Sequence, residues 1–229
     1  MIRLALLGKN ISHSLSPDLY REIYGRENLQ YQLFDCREST DIPSLENMFL
    51  GIDGLSITAP YKEHFLNEVI INDPTVEKLR AINCIGKKAN TFLATNTDLS
   101  AMRRLLPPLL SGRTLVVLGS GAMTRVVSAV ASEMGATLVQ WSRRNTPAEF
   151  RSMPLESISD GNVLVVNCCA REYVFSHKLP ENALFWDMNY RHQAHQESFQ
   201  TISSQYIDGL NLLKGQAEDA AAFWSILKN

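Results

Sequence analysis

The sequence has no excess of charge of either sign. Its 22 lysines and arginines are matched by 24 aspartates and glutamates, which gives a formal net charge of −2. Nucleic-acid binding draws much of its affinity from concentrated basic residues that displace counterions, and no segment here concentrates them. Nucleic acid is therefore not an expected partner.

Long apolar runs are also missing. The opening MIRLALLGKN holds a short apolar stretch that Gly8 and Lys9 interrupt, and it carries no signal-peptide cleavage pattern. No later run approaches the roughly 20 apolar residues of a membrane-spanning helix. We expect a cytoplasmic protein that does not bind a membrane.

Cysteine is scarce, and spacings typical of metal ligands are absent. Cys36, Cys84, Cys168 and Cys169 form neither a zinc pattern nor a C-x-x-C motif. The five histidines include no H-E-x-x-H motif. We expect reduced, mostly buried thiols and no protein-bound metal.

The remaining composition is that of an ordinary folded protein. Of 229 residues, 45% are hydrophobic and 20% are charged. This length fits one large domain or two small ones.

Strand and helix patterns alternate through the first hundred residues. Strands are predicted over 3–7, 31–36 and 55–58, helices over 16–25 and around 65–70, and a hairpin over 83–95. Ser16 and Asp98 are the expected caps of the helices that follow them. The opening is therefore βαβ.

A new pattern begins after Pro107, Pro108, Ser111 and Gly112, which form the best candidate for a linker. We place a domain boundary near residue 100. Beyond it, strands are predicted over 114–118, 137–141, 163–167 and 184–188, and helices over 122–134 and 211–227.

The motif TLVVLGSGAM indicates a dinucleotide site. It places Gly119, Ser120, Gly121 and Ala122 where a strand turns into a helix, so backbone N–H groups and the positive helix end can meet a pyrophosphate. Thr124 occupies the place of the usual third glycine, so the alternative of a purely structural turn stays open.

The end of the next strand favours NADP over NAD. An NAD site usually places an acidic residue there, whereas this chain has Ser142, Arg143 and Arg144. Guanidinium groups pair with a 2′-phosphate through charge-assisted hydrogen bonds. The alternative is that the two arginines lie in a solvated loop.

Three polar clusters follow predicted strands of the first half, where ligands of open α/β sheets lie. They cover residues 12–17, 58–62 and 96–98. Hydroxyls at a helix start can hold a carboxylate, although Ser14 and Ser16 also suit plain capping. Lys62 follows a T-x-P turn, and Asp98 can orient it for acid–base chemistry.

Taken in order, these motifs resemble the shikimate dehydrogenase family over almost the whole chain. The resemblance rests on Ser14-Leu15-Ser16-Pro17, Ser56 through Lys62, Ala81 through Cys84, Asn96-Thr97-Asp98, Gly119 through Ala122, Ser142-Arg143-Arg144, Tyr190 in its D-x-x-Y stretch, and Asp208-Gly209 through Gln216.

The resemblance implies two α/β domains: an N-terminal substrate domain over 1–100, completed by about 209–229, and a C-terminal Rossmann-like NADP-binding domain over 101–208. The last helix then returns to the substrate domain. It further implies reversible reduction of 3-dehydroshikimate to shikimate in aromatic amino acid biosynthesis, with NADP as cofactor, by a monomer or homodimer.

The resemblance also implies roles for individual residues. Lys62 and Asp98 form the catalytic pair. The implied substrate residues are Ser14, Ser16, Thr58, Asn83, Asp98, Tyr190 and Gln216, and the implied cofactor residues are Gly119, Ser120, Gly121, Ala122, Ser142, Arg143, Arg144 and Gly209.

Several positions depart from the family pattern. The chain is short between Arg144 and Val163, Ser56 replaces the usual Asn, and Cys168-Cys169 replaces the usual Ala-Thr. Two alternatives stay open: a dehydrogenase for quinate or another polyol, and a noncatalytic protein that binds NADP or a metabolite.

Overall fold

The structure, a computed structural model, describes residues 1–142, 162–177, 179–180, 182–199 and 205–228. The chain divides into two compact units. The first comprises Met1–Ala101 with Leu213–Asn229, and the second comprises Met102–Leu212. The points of division fall inside two helices, Thr97–Leu110 and Leu210–Lys228.

The first unit is built on a mixed six-stranded sheet in the order β2-β1-β3-β5-β6-β4. Its elements are β1 (Ile2–Gly8), α1 (Ser16–Tyr24), β2 (Leu29–Asp35), α2 (Leu45–Met48), β3 (Gly54–Ile57), β4 (Ile70–Ile71), α3 (Pro74–Leu79), β5 (Cys84–Lys88), β6 (Thr91–Thr95) and the start of α4 (Thr97–Leu110). Strands β1, β2 and β3 are parallel, whereas β5 runs antiparallel to both β3 and β6.

The second unit is built on a five-stranded sheet in the order β11-β10-β9-β7-β8, and every pair in it is parallel. Its elements are β7 (Thr114–Leu118), α5 (Ala122–Glu133), β8 (Leu138–Trp141), β9 (Val163–Asn167), β10 (Leu184–Asp187), α6 (Gln193–Ser198) and β11 (Tyr206–Ile207). This is a doubly wound, Rossmann-like order, with the switch point beside its first strand, β7.

The last helix, α7 (Leu210–Lys228), joins the core of the first unit over most of its length. Trp224 packs with Leu4, Tyr20 and Ala217, and its ring Nε1 donates to the Ile85 carbonyl at 2.9 Å. Gly54 leaves space for the Trp224 ring, which a side chain there would strike. The predicted fold class, two α/β units with the last helix in the first, is confirmed.

Strand β7, strand β9, the 83–95 hairpin and the helix after the glycine-rich loop form where the sequence predicted them. The helix predicted around 65–70 was wrong. His64, Leu66 and Glu68 each donate their N–H to the carbonyl three residues earlier, which makes successive turns. Ile70 and Ile71 then pair with β6, because β-branched residues suit a strand.

Two predicted caps and the predicted linker were also wrong. The N-cap of α1 is Leu15, and Ser16 is the first helical residue. At α4 the capping side chain belongs to Asn96, whose Oδ1 accepts from the Leu99 N–H at 3.1 Å. Pro107 and Pro108 lie inside α4, in its last turn, where each lacks the N–H that a helical residue would donate, so they do not form a linker.

Candidate functional site

The topology of the first sheet gathers distant parts of the sequence at one edge. The carboxyl ends of the parallel strands β1 and β3 lie side by side. Since β5 is antiparallel to β3, and β6 to β5, the start of β5 and the end of β6 reach the same edge. The polar clusters that follow β1, β3 and β6 therefore meet there.

Buried polar groups mark this edge. Six polar residues of the described part of the first unit are buried, and all belong to it: Ser16, Ser56, Asn83, Asn96, Thr97 and Asp98. Polar side chains are buried at a cost unless they are hydrogen-bonded. Such a concentration in one place therefore indicates a site.

Lys62 and Asp98 form the central ion pair. The Lys62 Nζ lies 2.6 Å from the Asp98 Oδ2, and the two side chains are only 12% and 11% exposed. The backbone fixes the position of Lys62, because its carbonyl accepts from the Ile82 N–H at 2.8 Å. The ammonium is thus held between the turn after β3 and the start of α4.

Thr97 connects two other predicted site residues, and sequence reasoning gave it no role. Its N–H donates to the Asn83 Oδ1 at 2.7 Å. Its hydroxyl lies 3.2 Å from the same oxygen and 3.3 Å from the Gln216 Oε1. The residue that precedes β5, the start of α4 and a residue of α7 are in this way joined at one threonine.

Ser14 and Ser16 lie together at the start of α1. The Ser14 hydroxyl accepts from the Ser16 N–H at 3.2 Å and donates to the Ser16 Oγ at 3.1 Å. Thr58 directly follows β3 and is partly exposed. Hydroxyls beside a helix start present donors to an anion.

Beneath these residues the edge is closed by aromatic rings. The Tyr20 hydroxyl lies 3.3 Å from the Ser56 Oγ, and the Tyr20 ring stacks on Tyr31. Burial raises the pKa of the Tyr20 phenol well above its ordinary value, and burial raises that of Cys84 as well. These groups stay neutral at neutral pH, and the largely buried ion pair of this edge is that of Lys62 and Asp98.

The second unit carries the glycine-rich loop at the carboxyl end of β7. Gly119 has a φ of +116°, and a Cβ there would lie 3.1 Å from the Cys168 carbonyl oxygen. Gly121, the N-cap of α5, has no atom within 4 Å of the place of a Cβ. The loop thus leaves open space directly before the N-terminus of α5.

The remaining predicted cofactor residues are placed as follows. Ser142 directly follows β8, while Arg143 and Arg144 lie outside the described residues. Ser120 and Ala122 lie in the glycine-rich loop and at the start of α5. Gly209 donates its N–H to the Asn189 carbonyl at 3.1 Å and packs against the Met188 backbone, where a side chain would not fit.

Tyr190 follows β10 and is half-buried. Its carbonyl accepts from the Arg171 guanidinium at 2.9 Å. Sequence reasoning missed the polar residues beneath this turn, Asp187, His192 and His195, because their spacing in the sequence matches no metal-binding or catalytic motif.

Taken together, the two units define a two-domain α/β protein with a Rossmann-like sheet.

Comparison with known proteins finds relatives of similar sequence. Residues 6–85 match the model of the shikimate dehydrogenase substrate binding domain. A shikimate dehydrogenase (NADP(+)) of Saccharolobus islandicus is 26% identical over 96% of this chain and 87% of its own length. A shikimate dehydrogenase (NADP(+)) of Hyphomonas neptunium is 25% identical over 98% of this chain and 92% of its own length. The chain is therefore similar to shikimate dehydrogenases over most of its length.

Solved structures share the fold. Shikimate dehydrogenase from Aquifex aeolicus superposes with a TM-score of 0.80 at 20% identity, covering 98% of this chain and 92% of that one. Shikimate 5-dehydrogenase from Thermus thermophilus, in complex with NADP(H) and shikimate, gives a TM-score of 0.74 at 24% identity, covering 98% of this chain and 94% of that one.

In the described residues no helix is long and apolar enough to cross a membrane.

Proposed function

We propose that this protein is an NADP-dependent shikimate dehydrogenase that interconverts 3-dehydroshikimate and shikimate. The observation that carries the proposal is the largely buried Lys62–Asp98 pair, with 2.6 Å between Nζ and Oδ2. A buried ammonium beside a carboxylate can move a proton to or from a substrate oxygen. The named relatives carry the same activity and cofactor.

The substrate has chemistry that suits this edge of the first sheet. Ser14 and Ser16 offer hydroxyl donors to its carboxylate, and the N-terminal end of α1 adds a favourable dipole. Thr58, Asn83, Asp98 and Gln216 are proposed to bind the ring oxygens, and Tyr190 is proposed to contact the substrate as well. Thr97 occupies the Asn83 Oδ1, so the Asn83 amide is left oriented with its N–H groups as donors.

NADP fits the residues of the second unit. The space beside Gly121 and the uncapped N-terminus of α5 suit a pyrophosphate, because no side chain of Gly121 occupies the first N–H groups. The residues proposed to hold the cofactor are Gly119, Ser120, Gly121, Ala122, Ser142, Arg143, Arg144 and Gly209. When bound, the cofactor supplies a hydride for the reduction and accepts one for the oxidation.

Lys62 handles the proton of the reaction. In the reduction, the Lys62 ammonium would donate a proton to the C3 carbonyl oxygen as negative charge develops there. In the oxidation, the same nitrogen takes the proton back from the C3 hydroxyl. Asp98 orients the ammonium through its hydrogen bond and can itself accept from a ring hydroxyl.

The test is a spectrophotometric assay of purified protein with shikimate and NADP⁺, and with quinate and NAD⁺ in parallel. We expect shikimate-dependent NADP⁺ reduction that falls about 10²–10⁴-fold in Lys62→Ala. The shikimate Kd, measured by calorimetry, should change far less. Lys87→Ala, which removes the same charge at the β5–β6 hairpin, is the control and should keep wild-type turnover.

Three outcomes would overturn parts of the proposal. Turnover of quinate in preference to shikimate would replace the substrate, and preference for NAD⁺ would replace the cofactor. Binding of shikimate or NADP⁺ with no turnover of either pair would indicate a noncatalytic binding protein. Equal losses of turnover and binding in Lys62→Ala would remove its chemical role.

A further inference from the structure

The second unit buries a polar network beneath the turn that follows β10. Asn167, Asp187 and His195 are fully buried, and His192 is 5% exposed. The proposed function does not use them. The network lies directly under residues 188–192, the segment that carries Tyr190.

The hydrogen bonds of His195 fix its tautomer. The Phe175 N–H donates to the His195 Nε2 at 2.8 Å, so that nitrogen carries no proton. The proton is then on Nδ1, which donates to the Asp187 Oδ2 at 2.5 Å. His195 is a neutral ring with both nitrogens engaged.

His192 is fixed in the same manner with the opposite tautomer. Its Nδ1 accepts from the His195 N–H at 3.2 Å, and its Nε2 donates to the Arg171 carbonyl at 2.7 Å. The two rings stack with their centroids 4.1 Å apart. His192 thereby ties the end of the turn to residue 171.

This group is not a metal site, although its spacing resembles one. Asp187, His192 and His195 each offer a ligand atom within 4.8 Å of the others. A metal ligand needs a free lone pair, and protein hydrogen bonds already engage every ring nitrogen. The other Asp187 oxygen, Oδ1, accepts from the Asn167 side chain and from the Asn189 N–H, each at 3.0 Å.

The backbone of the turn is held at successive residues. Arg171 donates from one guanidinium nitrogen to the Tyr190 carbonyl at 2.9 Å and from another to the Arg191 carbonyl at 2.7 Å. The Asn189 carbonyl accepts from Gly209, and the Met188 N–H donates to Asn167. Arg191 has a φ of +50°, a conformation that non-glycine residues adopt only at a cost.

We infer that His195, through Asp187, and Arg171 are positioning residues that preorganise the turn 188–192 and thereby present Tyr190 to the substrate. The inference rests on the proposed function, because Tyr190 is a substrate residue only there. A turn that is already ordered loses little entropy on binding, so loosening it weakens affinity. Neither Arg171 nor His195 touches the substrate in this account.

The first experiment replaces Arg171, whose side chain is exposed, so that Arg171→Ala should fold. We expect the shikimate KM to rise about tenfold, with a smaller change in kcat and an NADP⁺ Kd within about twofold of wild type. Arg171→Lys should recover part of the loss. Lys87→Ala is the charge-matched control. An unchanged shikimate KM in Arg171→Ala would overturn the role of Arg171.

The second experiment separates the two bonds of His195. An Asn amide nitrogen at this position can replace Nδ1 and donate to Asp187, whereas a Gln side chain replaces Nε2. We expect His195→Asn to keep the shikimate KM within about threefold and His195→Gln to raise it about tenfold. A larger rise in the shikimate KM for His195→Asn than for His195→Gln would contradict positioning through Asp187. So would KM values that rise equally in both variants and only in proportion to the loss of melting temperature.

A third measurement is independent of turnover. Wild-type protein should show one histidine Nδ1 proton far downfield in the NMR spectrum, and amide exchange at 188–192 should quicken in His195→Gln. If both appear while the wild type does not turn over shikimate, the turn is ordered as inferred and the proposed function is what fails. If the resonance is absent and exchange is unchanged, the inference itself fails.

Discussion

At the scale of single residues, the site depends on side chains that hold other side chains in position. Lys62 is oriented by Asp98, and Asn83 and Gln216 are joined by Thr97. A buried hydrogen bond contributes about 0.5–1.5 kcal/mol net, and a donor or acceptor left unpaired costs about 1–3 kcal/mol. Orientation at this edge is therefore sensitive to single atoms.

Thr97→Val tests this at the residue scale. It removes the hydroxyl between the Asn83 Oδ1 and the Gln216 Oε1, and it keeps the shape and the backbone N–H bond. We expect the shikimate KM to rise about five- to tenfold, because the Gln216 amide loses its hydroxyl partner while the Asn83 Oδ1 keeps only the Thr97 N–H.

The matched control for Thr97→Val is Ser100→Ala. Ser100 lies one turn further along α4 and is not a predicted substrate residue; its hydroxyl lies 2.5 Å from the Asp219 Oδ2 and 3.1 Å from the Thr97 carbonyl oxygen. This variant should lose a similar hydrogen bond and keep the wild-type KM. Steady-state kinetics together with melting curves separate the two. Equal KM values for both variants would show that Thr97 acts on stability alone.

At the scale of elements, the connection from β7 to α5 combines two glycines with different physical roles. Gly119 adopts a positive φ and approaches the Cys168 backbone, whereas Gly121 has an ordinary φ of −89° and faces open space. The first is required by the fold of the loop. The second is free for a ligand to approach.

Gly119→Ala and Gly121→Ala should therefore behave differently. Gly119→Ala should lower the free energy of unfolding by about 1–3 kcal/mol, because it adds strain and a close contact. Gly121→Ala should leave it nearly unchanged and raise the NADP⁺ Kd about tenfold or more, because the new methyl occupies the space before α5.

Denaturant melts and NADP⁺ titration of the two variants provide the measurement. A Gly121→Ala variant that binds NADP⁺ as wild type does would place the pyrophosphate elsewhere. A Gly119→Ala variant of unaltered stability would show that the loop adopts another conformation.

At the scale of the whole molecule, buried phenols and thiols couple stability to alkaline pH. Burial raises the pKa of Tyr20 and Tyr31 in the first unit and of Tyr206 in the second. Each folded pKa lies above the unfolded value of about 10, so the unfolded chain releases its protons first. The stabilisation is present below pH 10 and is lost as the pH rises towards the folded pKa values.

The free energy of unfolding should therefore fall as the pH rises above about 10. Tyr20→Phe should lower it by about 1 kcal/mol at pH 7, because the hydrogen bond to Ser56 is lost, and should make the alkaline decline shallower. Denaturant unfolding at several pH values measures both. A decline of the same slope in Tyr20→Phe would assign the pH dependence to other groups.

The sequence by itself determined the elements whose signal is local. The apolar runs Thr114–Leu118 and Val163–Asn167 are strands because unbroken β-branched and aliphatic runs of that length suit a sheet buried on both faces. The hairpin of β5 and β6 and the turn at Gly119 follow from local chemistry in the same way. The order of the polar motifs also indicated the resemblance to the shikimate dehydrogenase family.

Only the tertiary structure decided the features that need partners far away in the chain. Ile70–Ile71 is a strand because β6 lies beside it, and a local apolar pattern cannot reveal that partner. Thr97 meets Gln216 across 119 positions, and His195 accepts from the Phe175 N–H across 20. Periodicity reports which face of an element is apolar, whereas which polar groups meet is set by how the elements pack.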